Sequence, residues 1–578
     1  MSRETLRAEQ LGYKSRMCFV GSEPSNFSYL IRQTSSHPSQ LQGFHFSNRQ
    51  YQHKYTAYDI DNVPREAFER PDKATVDKLV CAYFVHINRS WPVVDEQDFM
   101  SQLEGKDERN PLSLPLFNAV LLVGAHAWSC QRRSENDGED VKRLQAVLFR
   151  RAKTLMDCRF EQDRFVHVQV AVLLSWYSDG LEEVVANAWY WIGTAARTAV
   201  GLGMHRDSKN ASLIDVHKRS WIRLWWVLFQ FDTLISLSYG RPQALPMHQN
   251  RNLDDSDVPD LQYKDFEGIQ EPESDFVIQH SRLCVIISQA YRHRWALRAS
   301  AAQRIKAAEH TDESLAKFAT QLPPQLQLSL ANPSTWQAIL HITYYNFLIL
   351  LHRPPPVNIK SQDPPSQVDV NSSIHGDAGM ALVSLLESLH ANSCLRSLPL
   401  FGVQAILTAI VFVKSQLRVG NPLVAAKSMR MVRTLSAVLQ ELSYHWNFAK
   451  GLLRLCGKNE PSISDTSNAA VETLAAEQST SFHGYDEESA RRPRDYISPN
   501  RHCENTVSQP SQNDLSFSDT ITSHQQSYLG MTSNADATSS HAQATVGSRL
   551  SGEFDFLDDF LSSGALSLED FFLGGGDA

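Results

Sequence analysis

Apolar residues recur every three or four positions, in blocks, from Thr75 to about Leu455. This spacing places them on one side of an α-helix, and no stretch shows the two-residue alternation of a half-buried strand. The blocks are separated by helix breakers: Trp91-Pro92, Gly201 with Gly203, Gly240-Arg241-Pro242, Pro323-Pro324 and Pro354-Pro355-Pro356. The pattern predicts an all-α protein whose residues 75–457 form one large helical domain or two packed halves.

One predicted helix lies within Trp189–Asp207 and has a face of small residues that allows close packing against a neighbour. Gly201 or Gly203 is expected to end it, because glycine adopts the left-handed conformation without steric cost. His205 follows the helix beside Arg206 and Asp207. We interpret this group as structural, because a single histidine after a helix end has no catalytic partner in the pattern.

The helix predicted from Trp221 onward is apolar on most sides and should be buried. Asp232 interrupts its apolar surface. A buried carboxylate costs free energy unless it is paired. We therefore predict a structural ion pair between Asp232 and Arg241, which would fix the Gly240-Arg241-Pro242 turn against the helix.

The segments on either side of the helical region have a different composition. Residues 1–70 are expected to be mostly irregular. Residues 458–550 are rich in Ser, Thr, Asn, Gln and His, so they bury too little apolar area to offset chain entropy and should form a disordered polar linker.

Residues 551–578 combine acidic and large apolar side chains. On a helix, the apolar side chains of EFDFLDDFL lie opposite Asp555, Asp558 and Asp559, and a second cluster, LSLEDFFL, follows. The residues assigned to this segment are Phe554, Phe556, Leu557, Phe560, Leu561, Phe571 and Phe572. The pattern is typical of an activation segment that folds into a coactivator groove. The alternative is a C-terminal helix that docks on its own domain.

Charge and cysteine content narrow the function further. The chain carries 55 Lys and Arg against 64 Asp and Glu, a net charge of −9, and residues 552–578 contain seven acidic and no basic residues. The eight cysteines are widely spaced with no C-x₂-C pair, which excludes a zinc finger built from them and a disulfide scaffold. No signal peptide is expected, and the longest apolar runs are too short to span a membrane.

Searches for catalytic motifs give little. GxGxxG, GxxxxGK[ST], HExxH and GxSxG are all absent, so no catalytic residue, cofactor or resident metal is predicted. Asp254, Asp255 and Asp257 form a DDxD group, interpreted as an acidic capping loop. The alternative is the Mg²⁺ site of an all-helical lyase or synthase. The basic residues between Arg292 and Lys306 are interpreted as a solvated face rather than a DNA contact.

Several blocks, in this order and spacing, resemble the regulatory middle region of the fungal-specific transcription factor family, the zinc binuclear-cluster regulators of the cutinase and xylanolytic activator type. They are Phe19–Leu30, Tyr83–Phe99, Ala195–Asp207, Leu224-Trp225-Trp226 with Asp232, Gly240-Arg241-Pro242, Asp254–Val258 and Leu351-His352-Arg353-Pro354. Together they cover about residues 15–457.

The resemblance implies an all-helical regulatory domain, a nuclear location and control of RNA polymerase II transcription, with no catalytic residue. The expected partners are coactivators and a homodimer or heterodimer with a related regulator. The family reads DNA with a zinc cluster that begins C-x₂-C-x₆-C, and this sequence has none. DNA is therefore expected to be reached indirectly, or through an N-terminal module outside these residues. The sequence thus predicts a transcriptional activator, perhaps of a specialised metabolic pathway by family analogy alone.

Overall fold

The structure is a computed structural model. It describes residues 16–19, 43–46, 63–106, 111–131, 136–161, 163–177, 186–205, 215–245, 273–296, 298–329, 333–354, 365–392, 395, 398–417 and 421–457. All of these residues belong to one compact unit of the chain.

The described part of the chain is almost entirely helical, as predicted. Two four-residue strands, β1 (Arg16–Phe19) and β2 (Gly43–Phe46), form an antiparallel pair. Fourteen α-helices follow in the described ranges: α1 (Lys73–Tyr83), α2 (Glu96–Leu103), α3 (Leu114–Gln131), α4 (Asn136–Asp157), α5 (Arg164–Leu174), α6 (Ala188–Leu202), α7 (Asp215–Tyr239), α8 (Glu273–Arg294), α9 (Ala301–Thr320), α10 (Thr335–Leu351), α11 (Pro365–Ala391), α12 (Leu400–Gln416), α13 (Pro422–Ser443) and α14 (Asn447–Gly457).

Polar side chains define where many of these helices begin. Asp163 accepts a hydrogen bond from the backbone N–H of Phe165 at the start of α5, and Asn187 accepts one from Tyr190 at the start of α6. Ser334 and Gln337 form a reciprocal capping box on α10. These bonds satisfy backbone donors that have no partner inside the first helical turn.

Gly203 ends α6 with a φ of 84°, and Met204 N–H donates to Ala199 O across the turn. Of the two glycines predicted to end this helix, Gly203 is the left-handed residue and Gly201 lies within the helix.

Aromatic side chains from distant parts of the sequence meet at the centre of the core. Trp91, in the loop after α1, is 1% exposed, and its ring centroid lies 5.6–6.2 Å from four other ring centroids. Those rings belong to Trp176, Phe231, Phe276 and Phe401. The loop after α1 therefore packs against α7, α8 and α12 through one indole ring.

Asn88 shapes that loop. It ends a π-helical turn, Phe84–Asn88, and its side-chain oxygen accepts hydrogen bonds from the N–H groups of Val93 and Val94 and from the Tyr83 hydroxyl. None of the described helices is long and apolar enough to cross a membrane.

Candidate functional site

The turn that follows α7 is the best-defined polar site of the domain. Gly240 has a φ of 61°, which an L side chain rarely adopts, and Arg241 N–H donates to Ser236 O at 2.9 Å. These two features reverse the chain, so residues 241–245 run back beside the last turns of α7.

Asp232 holds the returning chain. One carboxylate oxygen accepts a hydrogen bond from Ala244 N–H at 3.0 Å, and the other accepts one from Leu245 N–H at 2.8 Å. Asp232 is 2% exposed, and burial raises its pKa to about 6 against the opposing effect of these two hydrogen bonds. The carboxylate thus fixes the turn against the helix, as predicted, but through backbone amides.

The predicted ion pair between Asp232 and Arg241 is wrong. Within the described residues no salt bridge joins them, and the guanidinium of Arg241 instead lies over the ring of Trp189, 5.0 Å from its centroid, and that of Tyr239, at 5.3 Å. The physical reason is the path of the chain. Residues 244 and 245 bring their N–H groups directly to the carboxylate, while Arg241 points toward the aromatic rings of α6 and α7.

Helix α8 closes the other side of the turn. Ser288 donates to Gln243 Oε1 at 2.7 Å, and Arg292 donates to Ser288 Oγ at 2.9 Å. Burial lowers the pKa of Arg292, and the Asp232 carboxylate offsets part of that effect. Arg292 was predicted to belong to a solvated face. The structure half-buries it and makes it the cation that stabilises Asp232 electrostatically.

A second polar cluster lies deeper, between α7, α8 and α10. Gln230 donates to Ser281 Oγ at 2.7 Å, so its amide oxygen faces His280 Nδ1, 2.8 Å away. The other ring nitrogen of His280 lies 3.3 Å from Thr343 Oγ1. Burial lowers the pKa of His280 to about 3, which keeps the ring neutral at physiological pH.

These groups are fully engaged within the protein. The Asp232 carboxylate is occupied by two amides, and both nitrogens of His280 face protein atoms, so neither is placed to act as a general base. In the described ranges no group of three His, Cys, Asp or Glu residues could hold a metal ion. The arrangement locks helices together and supplies no reacting group.

The other predicted site residues lie outside the described residues. They are Asp254, Asp255 and Asp257, and the segment residues Phe554, Phe556, Leu557, Phe560, Leu561, Phe571 and Phe572. His205 is described and buried, next to the ring of Trp225. The sequence offered no C-x₂-C pair, so a zinc binuclear cluster does not fit the cysteines of this chain.

Sequence reasoning missed Trp189, Gln243 and Ser288 as parts of the site. Only Trp189 carried a signal, because an exposed-side tryptophan near a Gly-Arg-Pro turn can stack on the arginine. Gln243 and Ser288 are ordinary polar residues, and their contact depends on how α8 packs.

Comparison with known proteins gives a consistent result. Residues 80–340 match the family described as "Fungal specific transcription factor domain". The chain is 40% identical over 444 residues to the acetamidase regulatory protein of Aspergillus fumigatus, covering 76% of this chain and 55% of that protein.

Two further relatives agree. The acetamidase regulatory protein of Emericella nidulans is 40% identical over 453 residues, covering 78% of this chain and 54% of that protein. Cutinase transcription factor 1 alpha of Fusarium vanettenii is 31% identical over 412 residues, covering 68% and 44%. The chain thus spans about half the length of the relatives it matches. No solved structure matches it.

Proposed function

Since the chain belongs to the fungal-specific transcription factor family by the match of residues 80–340, we propose that it regulates transcription, as an activator, by recruiting other macromolecules. The single observation that carries this proposal is the similarity to the acetamidase regulatory proteins, which extends over three quarters of the chain. The site supports it, because its polar groups bind one another. The same findings favour a regulator over the Mg²⁺-dependent lyase considered from Asp254, Asp255 and Asp257.

In this proposal the helical domain is a scaffold, and residues 551–578 make contact with coactivators. The names of the relatives, regulators of acetamidase and of cutinase, support target genes that belong to a metabolic pathway. The protein would act in the nucleus and dimerise with itself or with a related regulator. It would reach DNA through such a partner or through a zinc-cluster module outside these residues.

A reporter assay tests the activating role. Residues 552–578 are fused to a heterologous DNA-binding domain, and transcription from its site is measured. We expect activation well above that of the DNA-binding domain alone. Phe560→Ala should remove most of it, because Phe560 lies on the apolar face of the predicted helix. Ser562→Ala, two positions away in the same segment, is the matched control and should leave activation intact. Absence of activation by the unmodified segment would refute the activator role.

A further inference from the structure

The outer face of α13 is a basic and apolar surface. Lys427, Arg430 and Arg433 are exposed on it, Leu423 is 80% exposed and Met429 is 45% exposed. We call these five residues, with Ala426 and Ala437, the α13 face. At 100° per residue they fall within one arc of less than half the helix circumference, so they form one continuous strip.

The opposite side of α13 is fixed in the core. Met431, Leu435, Val438 and Leu442 are buried there, and the helix packs against α11, α12 and α14. The direction in which the outer face points is therefore set by the fold, and substitutions on it do not disturb core packing.

The three cations of the α13 face have no partner of opposite charge in the part of the chain that the structure describes. No salt bridge involves Lys427, Arg430 or Arg433 there. The one carboxylate on α13, Glu441, lies near its end with its oxygen 3.2 Å from His390 Nδ1. The face is thus electropositive, and two copies of it would repel each other.

We propose that the α13 face binds the acidic and aromatic residues 552–578 of the same chain. That segment carries seven acidic residues and no basic one, and it contains five phenylalanines. Its carboxylates match the three cations, and an arginine guanidinium can also stack on a phenylalanine ring. The aliphatic stems of Lys427, Arg430 and Arg433, with Leu423 and Met429, supply apolar area for the same rings.

The chain path permits this contact. α14 packs on α13 and ends at Gly457, so the polypeptide leaves the helical domain beside the proposed surface. At up to about 3.5 Å per residue, the chain between Gly457 and Phe554 is long enough to return to α13 without strain.

The regulatory consequence rests on the proposed activating role of the segment. The phenylalanines that would enter a coactivator groove are the ones that meet the α13 face, so docking hides them. A coactivator then competes with α13, and a partner that covers α13 releases the segment. The contact itself does not depend on that role.

Photo-crosslinking in the full chain tests the contact. A photoreactive phenylalanine analogue replaces Met429, and crosslinked peptides are identified by mass spectrometry. We expect crosslinks to residues 552–578 of the same chain. The triple charge reversal Lys427→Glu, Arg430→Glu and Arg433→Glu should lower their yield by at least about fivefold, because three favourable charge pairs become repulsive.

The matched control reverses three exposed cations on α9, Arg304→Glu, Lys306→Glu and Lys317→Glu. It changes the net charge equally and should leave the crosslink yield unchanged. An equal loss in the control would show a net-charge effect and overturn the proposal. Crosslinks only elsewhere, or only between isotopically distinct copies in a mixed sample, would also overturn it.

Two further measurements separate the alternatives. If the α13 triple reversal abolishes binding of a labelled DNA duplex by the full chain and leaves the crosslink unchanged, the face binds nucleic acid and the proposal is wrong. In the reporter assay, the full chain fused to a DNA-binding domain should activate less than residues 552–578 alone, and the α13 reversal should raise it several-fold. An inactive isolated segment refutes the proposed function while the crosslink still stands.

Discussion

The buried carboxylate of Asp232 accepts hydrogen bonds from two backbone N–H groups, those of Ala244 and Leu245. Removing the acceptor leaves both donors in a site that water does not reach, and an unsatisfied buried polar group costs more than a hydrogen bond contributes. A single side chain at this position therefore decides whether the turn after α7 stays closed.

Asp232→Ala should lower the free energy of unfolding by about 2–4 kcal/mol, because two amides lose their acceptor. Arg241→Ala should cost only about 1 kcal/mol, since it removes stacking on Trp189 and Tyr239 and leaves the amides paired. Urea unfolding at pH 7 measures both. The double variant is the control: the two losses should add. Equal single losses with strong coupling would restore the ion pair that the structure does not show.

Gly124 illustrates a packing constraint at a single residue. It lies in α3, where an added Cβ would overlap the backbone carbonyl of Leu79 in α1. Gly124→Ala should therefore destabilise the domain by about 1–3 kcal/mol through overpacking.

Gly201→Ala is the matched control, because this helical glycine in α6 has no atom within 4 Å of an added Cβ. It should be neutral or stabilising by up to about 1 kcal/mol, since alanine favours a helix more than glycine does. Thermal unfolding of the two variants measures the difference. A Gly124→Ala variant as stable as Gly201→Ala would mean that α1 and α3 do not approach this closely.

Between elements, one imidazole ring joins three helices. His352 follows α10 within the Leu351-His352-Arg353-Pro354 block, with Nε2 2.9 Å from Asp312 Oδ1 on α9 and Nδ1 2.9 Å from Asn371 Oδ1 on α11. The residue is 2% exposed. The ring thus ties α9 to the α10–α11 pair.

His352→Ala should free α9, and its amides should exchange with solvent faster by about tenfold, the equivalent of about 1.4 kcal/mol for the lost hydrogen bonds. Hydrogen exchange with mass spectrometry of peptides from Ala301–Thr320 measures this. His310→Ala, at an exposed position of α9, is the control and should leave exchange unchanged. Faster exchange that is uniform over all helices would indicate global destabilisation in place of a local tie.

The helices could be predicted because apolar spacing and breakers are local signals. Gly203 ends α6 as one of two named candidates, since few residues other than glycine adopt its φ of 84°. The four-residue strands β1 and β2 are too short to show alternation. The π-helical turn at Phe84–Asn88 depends on hydrogen bonds from Asn88 that no periodicity encodes.

The site was predicted only in part, for a related reason. Burial of Asp232 follows from the apolar residues around it, so the need for a partner was visible in the sequence. The partners are backbone N–H groups, which every residue except proline carries, so no residue type marks them. Arg292 was assigned to a solvated face because helical spacing alone does not show which side of α8 meets the turn.

At the scale of the whole domain, buried titratable groups set how stability depends on pH. Burial lowers the pKa of His126 and of His280 to about 3. Their stabilising contributions are complete above the unfolded pKa of about 6.5 and are lost as the pH falls toward 3, because only the unfolded chain binds the protons. Burial raises the pKa of Asp232 to about 6, so its contribution has the opposite sign and is lost as the pH rises from about 4 to 6.

The two histidines outweigh the one carboxylate. From pH 7 to pH 4.5 they together remove about 5 kcal/mol, and Asp232 returns about 2 kcal/mol, at about 1.4 kcal/mol for each pKa unit. We expect these groups to make the domain less stable at pH 4.5 by about 3 kcal/mol. His126→Phe should shrink the difference in unfolding free energy between the two pH values by about 2–3 kcal/mol, since the ring that lies 4.5 Å from the Trp446 ring no longer titrates.

Urea unfolding at the two pH values measures this difference for each variant, whatever the absolute cost of the substitution. Val123→Ala, at a fully buried position of the same helix α3, is the matched control, because it destabilises the core without removing a titrating group. It should keep the pH difference of the unsubstituted protein. If His126→Phe also kept it, His126 would be protonated equally in the folded and unfolded chain, and its ring could not lie sealed between Trp176 and Trp446.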